Sequence, residues 1–268
     1  MRYANLFYKL SVILDEEILN YHFKYSIDFF RDSGVIYQFW REDFKTVVFI
    51  KSHLILRMDD NDVTPQLISG RELQRGLGLL GFLLPIILYL GNWLIFGDTT
   101  LQGSISGYYN TGMRDVLVGT LCSFGVGLMA YKGHGLIDNI VASLSGIFAI
   151  GTALFGTPPS NVYDPTEKIT HAIFAVLFYS SLVVFSLYLF RKSDSDSVPT
   201  RKKRMRNRVY LFAGIVMFIS IIAISITWIL NLKILDDKAI FWFEALANFA
   251  FGISWFVKGG LVTALNDE

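Results

Sequence analysis

Asp115, His171 and Glu244 are ionisable residues placed inside or at the edge of long apolar runs. Two carboxylates and an imidazole can relay a proton as general acid and base. They can also supply oxygen and nitrogen ligands to zinc. With a hydroxyl from Ser104 or Ser106, His171 and Asp115 can form a Ser-His-Asp arrangement. The three residues come from three separate runs, so no short-range spacing links them. There is no nucleophile-elbow motif, no phosphate-binding glycine loop and no Rossmann fingerprint. No catalytic residue, metal or cofactor is therefore assigned. An enzyme built on this chain would use Asp115, His171 and Glu244.

Other polar residues gather around these three. Ser104, Ser106, Tyr108, Tyr109 and Asn110 precede the Arg114–Asp115 pair. Glu244, Asn248, Gly252 and Trp255 recur at intervals of four, four and three, which places them on one helix face. Ionisable groups within membrane spans usually face a bundle interior or a wet cavity. The expected site is an outward-facing pocket with Ser104, Ser106, Tyr108, Tyr109, Arg114, Asp115, His171, Glu244, Asn248 and Trp255 as binding residues. The structural alternative is that Asp115 favours a helix N-terminus, His171 bonds a backbone carbonyl, and Glu244 pairs with Arg114.

The elements that must position these residues follow from composition and hydropathy. The chain is 53% hydrophobic and only 18% charged, against roughly 25% charged in soluble domains. Six apolar runs approach the ~20 residues a membrane helix needs. They cover residues 77–96, 114–131, 138–155, 169–190, 209–230 and 239–262. The fold class expected is an all-α membrane protein, a six-transmembrane-helix bundle over residues 69–262 with a short tail at 263–268. Ser69 and Glu72 have capping-box spacing ahead of the first span. Gly119, Ser123 and Gly127 on span two, and Ala142, Gly146, Ala149 and Ala153 on span three, predict a tight hairpin through Gly133–Gly135.

Twelve basic residues fall on one side of this topology and four on the other, eight of the twelve between Arg191 and Arg208. Lysine and arginine mark the cytoplasmic side, so both termini are expected in the cytoplasm. The basic loop suits anionic lipid headgroups. A net charge of +1 gives no case for nucleic acid. The single cysteine, Cys122, excludes an internal disulfide and a cysteine-based metal site. Charge comes too early at the N-terminus for a cleavable signal peptide.

Residues 1–66 mix charge with aromatics. Amphipathic helix is expected over 3–31 and a strand over 45–58, with an acidic loop at Asp59–Asp62. So short a segment makes a marginal core by itself. It is expected to pack on the membrane domain or surface, self-associate, or engage a cytoplasmic protein partner.

The runs SISGYYNTGMRD-VLVG with YKG, DN…SLSGIFAIGTALFGTPP and WFEALANFAFGISWFVKG resemble a group of bacterial polytopic inner-membrane proteins of unknown function. The resemblance covers about residues 69–262 and implies six-helix architecture and a bacterial inner membrane. The layout of polar groups at outer helix ends is also loosely similar to membrane hydrolases of the alkaline ceramidase type, whose zinc-binding histidine set is missing here. Three readings follow. The first is a non-enzymatic protein that binds a lipid or small molecule in the outward pocket. The second is a membrane-embedded lipid hydrolase. The third is an oligomeric pore or effector regulated through residues 1–66.

Overall fold

The structure, a computed structural model, describes residues 69–133, 135–158, 165–192, 199–232, 234–235 and 237–267. The helices and strand expected over 3–31 and 45–58 lie outside the described residues. The chain divides between Pro65 and Gln66, and the described residues belong to the second unit.

Six α-helices lie among its described residues: α1 (Gly70–Phe96), α2 (Arg114–Ala130), α3 (Leu136–Leu154), α4 (Pro165–Leu187), α5 (Arg201–Ile229) and α6 (Ala239–Lys258). No strand occurs among the described residues. Five of the helices are long and apolar enough to cross a membrane, all but α2. The result is a multi-pass helical membrane architecture. α2 has 17 residues, about 26 Å at 1.5 Å per residue.

Local chemistry sets the helix ends. At α1 the Ser69 hydroxyl accepts from the Glu72 amide at 3.2 Å, and the Glu72 carboxylate accepts from the Ser69 amide at 2.8 Å. This reciprocal pair satisfies two donors that the first turn would leave bare. Gly97 ends α1 at φ 71°, a left-handed cap that glycine adopts without a Cβ clash. Thr200 caps α5 by accepting from the Lys203 amide at 3.0 Å. α6 stops at Lys258 rather than continuing to 262. Gly260 has φ 70° there, and Arg75 Nε donates to the Gly259 carbonyl at 2.8 Å.

Each helix packs on its neighbour in sequence, and α6 returns to α1, closing a ring. Aromatic side chains fill the centre. Phe124 of α2 meets Phe178 of α4 at 6.0 Å and Phe251 of α6 at 5.4 Å between ring centroids. Trp255 continues the column against Tyr131, Phe185, Phe190 and Phe251. The outer surface is apolar too: Leu94, Ile95, Phe212 and Ile229 are each at least 70% exposed. An apolar exterior around an apolar interior suits hydrocarbon rather than water.

The close helix crossings are made by glycine. A Cβ on Gly146 of α3 would stand 2.5 Å from the Gly125 carbonyl of α2, and one on Gly125 would stand 2.8 Å from the Gly146 carbonyl. Ala142, Gly146, Ala149 and Ala153 are all buried, as the stripe on span three predicts. The expected stripe on span two is corrected. Gly119 and Ser123 are exposed, a Cβ on Gly119 would meet nothing within 4 Å, and Gly127 faces Leu77 of α1. Four-residue periodicity found small residues, but two adjacent faces of α2 carry them, and the face with Gly125 meets α3.

The segments 97–113, 155–158 and the start of α6 share one end of the bundle, the loop end. The opposite, basic end is laced by polar contacts. Lys192 pairs with the buried Asp138 at 2.5 Å, and Arg206 pairs with Asp267 at 2.5 Å.

Candidate functional site

The polar segment between α1 and α2 folds into a 3-10 turn, Ser106–Asn110. Its start is held by α6. Glu244, in the second turn of that helix and buried, accepts the Ile105 backbone N–H at 2.5 Å. A buried carboxylate needs such donors, because leaving water unpaired costs it several kcal/mol. The loop's far side is held by residues just beyond α3. The Thr157 hydroxyl donates to the Ser106 carbonyl at 3.0 Å, and the Asn110 amide donates to the Thr157 carbonyl at 3.0 Å. The Phe241 amide donates to the Gly103 carbonyl at 3.0 Å.

His171 enters from α4. Its Nδ1 lies 2.6 Å from the Phe155 carbonyl and its Nε2 lies 2.8 Å from Ser106 Oγ. A carbonyl can only accept, so Nδ1 carries the proton. Nε2 is then the lone-pair nitrogen, and the Ser106 hydroxyl donates to it. Glu244 and His171 thus hold adjacent residues, the first the Ile105 amide and the second the Ser106 side chain.

Ser106 and His171 line a narrow cleft with room for about one water molecule. Leu117, Val118 and Leu121 of α2 and Thr152 and Ala153 of α3 form its walls, with Tyr109 and Gly156 at the loop end. The Tyr109 ring lies directly on Gly156, where any Cβ would collide with it. Arg114 donates to the Tyr109 hydroxyl at 2.8 Å, with its guanidinium 4.4 Å from the ring centroid.

The remaining expected residues separate. Asn248 donates to the Tyr179 hydroxyl at 2.7 Å and to the Glu244 carbonyl at 2.9 Å, bridging α6 to α4 beneath the loop. Ser104 serves its own turn by accepting from the Gly107 amide at 2.9 Å. Tyr108 is buried with its ring 6.2 Å from that of Phe241, and burial pushes its hydroxyl above the ordinary range. Asp115 is exposed in the first turn of α2 and does not line the cleft. Trp255 shares the helix face of Glu244 but lies eleven residues further on, about 16 Å at helical rise, within the aromatic column. The pairing of Glu244 with Arg114 is replaced by Glu244 with the Ile105 amide and Arg114 with Tyr109. Among the described residues, no three His, Cys, Asp or Glu side chains cluster as a metal site.

At the rim, Asp98 accepts from the Thr100 amide at 2.9 Å and from Asn92 Nδ2 at 3.0 Å. Hydrogen bonds from Thr100, and then from Asn92, hold its carboxyl below the usual range.

Sequence reasoning did not single out Phe155, Thr157 or Tyr179. Phe155 and Thr157 act through backbone or a common hydroxyl, and Tyr179 sits in an apolar run like many aromatics here. Compared with protein-family models, curated proteins and solved structures, the chain matches none.

Proposed function

We propose that this chain is a six-span membrane protein that binds an amphipathic lipid at its loop end. α2 is the sixth span in this reading, supported by its glycine-mediated packing against α3. The cleft carries the functional part. It sets hydrogen-bonding groups, Ser106, His171 and Tyr109, against an apolar wall of Leu117, Leu121 and Ala153. That combination fits the junction between a lipid's polar linkage and its acyl chain. The narrow cleft opens around the linkage in this reading, while the chains lie along the apolar exterior.

In this reading the basic end faces the cytoplasm, supported by the twelve-to-four asymmetry, and the membrane is a bacterial inner membrane, supported by the resemblance. Residues 1–66 then lie on the cytoplasmic side as a partner-binding segment. The aromatic column argues against a pore through a single chain, because Phe124, Phe178, Phe251 and Trp255 occupy its axis.

Native mass spectrometry of the full-length protein released from lipid nanodiscs tests the binding reading. The protein is expected to keep one lipid, and Val118→Trp, which blocks the cleft, is expected to lose it while staying folded by circular dichroism. Equal retention by both proteins would refute it.

A further inference from the structure

We infer that Ser106 and His171 form a nucleophile–base pair that cleaves an acyl ester held in the cleft. This rests on the lipid-binding reading and adds a reaction to it. Three features carry it. The Ser106 hydroxyl donates to His171 Nε2 at 2.8 Å, within reach for direct proton transfer. Nδ1 is fixed as the donor by the Phe155 carbonyl at 2.6 Å. That carbonyl fills the orienting place of a carboxylate and faces the positive charge the ring gains. The third feature is that both residues line the narrow cleft where the linkage enters, beside the apolar residues Leu117, Leu121 and Ala153.

The carboxylate expected in that orienting place was Asp115, which stands exposed elsewhere. Glu244 does not replace it, since it binds the Ile105 amide. That amide therefore does not serve a developing oxyanion. The inference gives that role to Tyr109, which lines the same cleft. Arg114 donates to its oxygen at 2.8 Å, which leaves the phenolic hydrogen for another acceptor and polarises it.

In the reaction, Ser106 Oγ attacks the ester carbonyl carbon as its proton passes to His171 Nε2. The carbonyl oxygen becomes an oxyanion facing Tyr109. Collapse breaks the bond to the leaving alcohol, which takes the proton from Nε2 and departs, leaving an acyl-Ser106 ester. Water then gives its proton to Nε2 and its oxygen to the acyl carbon. The proton returns to Ser106 Oγ as the carboxylic acid leaves. Atoms balance as ester plus water giving acid plus alcohol, with no change in oxidation state.

A fluorophosphonate probe on the full-length protein in detergent tests this, with lipid retention followed in parallel. The native protein is expected to label at Ser106, located by peptide mass spectrometry. Ser106→Ala is expected to abolish labelling, and Ser123→Ala, on the exposed face of α2, to preserve it. Removing one oxyanion donor typically slows turnover about 100-fold or more, so Tyr109→Phe is expected to slow labelling strongly while Ser106 stays in place. A native protein that keeps its lipid but does not label overturns the inference and leaves the binding reading intact. Labelling that persists in Ser106→Ala also overturns it. Native protein that keeps no lipid overturns the binding reading instead.

Discussion

Glu244 accepts the backbone N–H of Ile105 at 2.5 Å across 139 positions of sequence. One buried carboxylate on α6 thereby fixes the start of the turn that carries Ser106. With the Thr157 and Phe241 contacts, it seats the turn from which Ser106 meets His171.

Replacing Glu244 should therefore loosen the loop end. Glu244→Ala leaves the Ile105 amide without its acceptor, at about 1–3 kcal/mol for an unsatisfied buried group. Glu244→Gln keeps one oxygen and should lose less. Tryptophan fluorescence during heating in detergent is expected to show Ala below Gln below native. Equal melting temperatures for all three would mean that the contact holds nothing.

The helix crossing at Gly125 and Gly146 makes a separate claim about packing. A Cβ on Gly146 would face the Gly125 carbonyl at 2.5 Å, and backbone cannot step aside as a flexible side chain can. Gly146→Ala should destabilise by about 1–3 kcal/mol through overpacking. Gly119→Ala, with open space around it, should be neutral or slightly stabilising from helix propensity. A melting comparison of the two variants checks this, and the opposite order would place α2 in the wrong rotation.

The tail contact at the basic end should respond to acid. Arg206 donates to Asp267 at 2.5 Å, and the Thr200 hydroxyl donates to the same carboxylate. Arg206 first, and then Thr200, hold its carboxyl below the usual range. A carboxyl lowered on folding stabilises the tether above its ordinary value, near pH 4, and loses it as pH falls through the lowered value. Fluorescence anisotropy of a C-terminal label is expected to drop in that acid window. Asp267→Asn should give a low value that pH does not change.

Topology has its own test. A periplasmic reporter fused after Lys203 should be inactive and one fused after Thr100 active. The reverse result would invert the membrane orientation.

Much of the helical frame was legible in the sequence because hydropathy over ~20 residues is a strong signal. The Ser69–Glu72 cap was legible as well, since it needs only two side chains three apart. The rotation of α2 was not. Small residues sit on two of its faces, and periodicity alone does not say which meets α3. At the site, Glu244, His171 and Ser106 stood out as polar groups in or beside apolar runs. Their mutual arrangement did not, because it runs through the Ile105 amide and the Phe155 carbonyl, groups that every residue carries. Asp115 looked equivalent to Glu244 by charge, yet one turn of α2 leaves it exposed.

The most direct test of the central claim uses a lipid with a diazirine near its acyl ester linkage. The full-length protein is irradiated in nanodiscs and the adducts are mapped by peptide mass spectrometry. The cleft reading predicts adducts concentrated at Leu117, Val118, Leu121 and Ala153, and their loss in Val118→Trp. Adducts spread evenly over outward residues such as Phe212 and Ile219, unchanged in the variant, would contradict it.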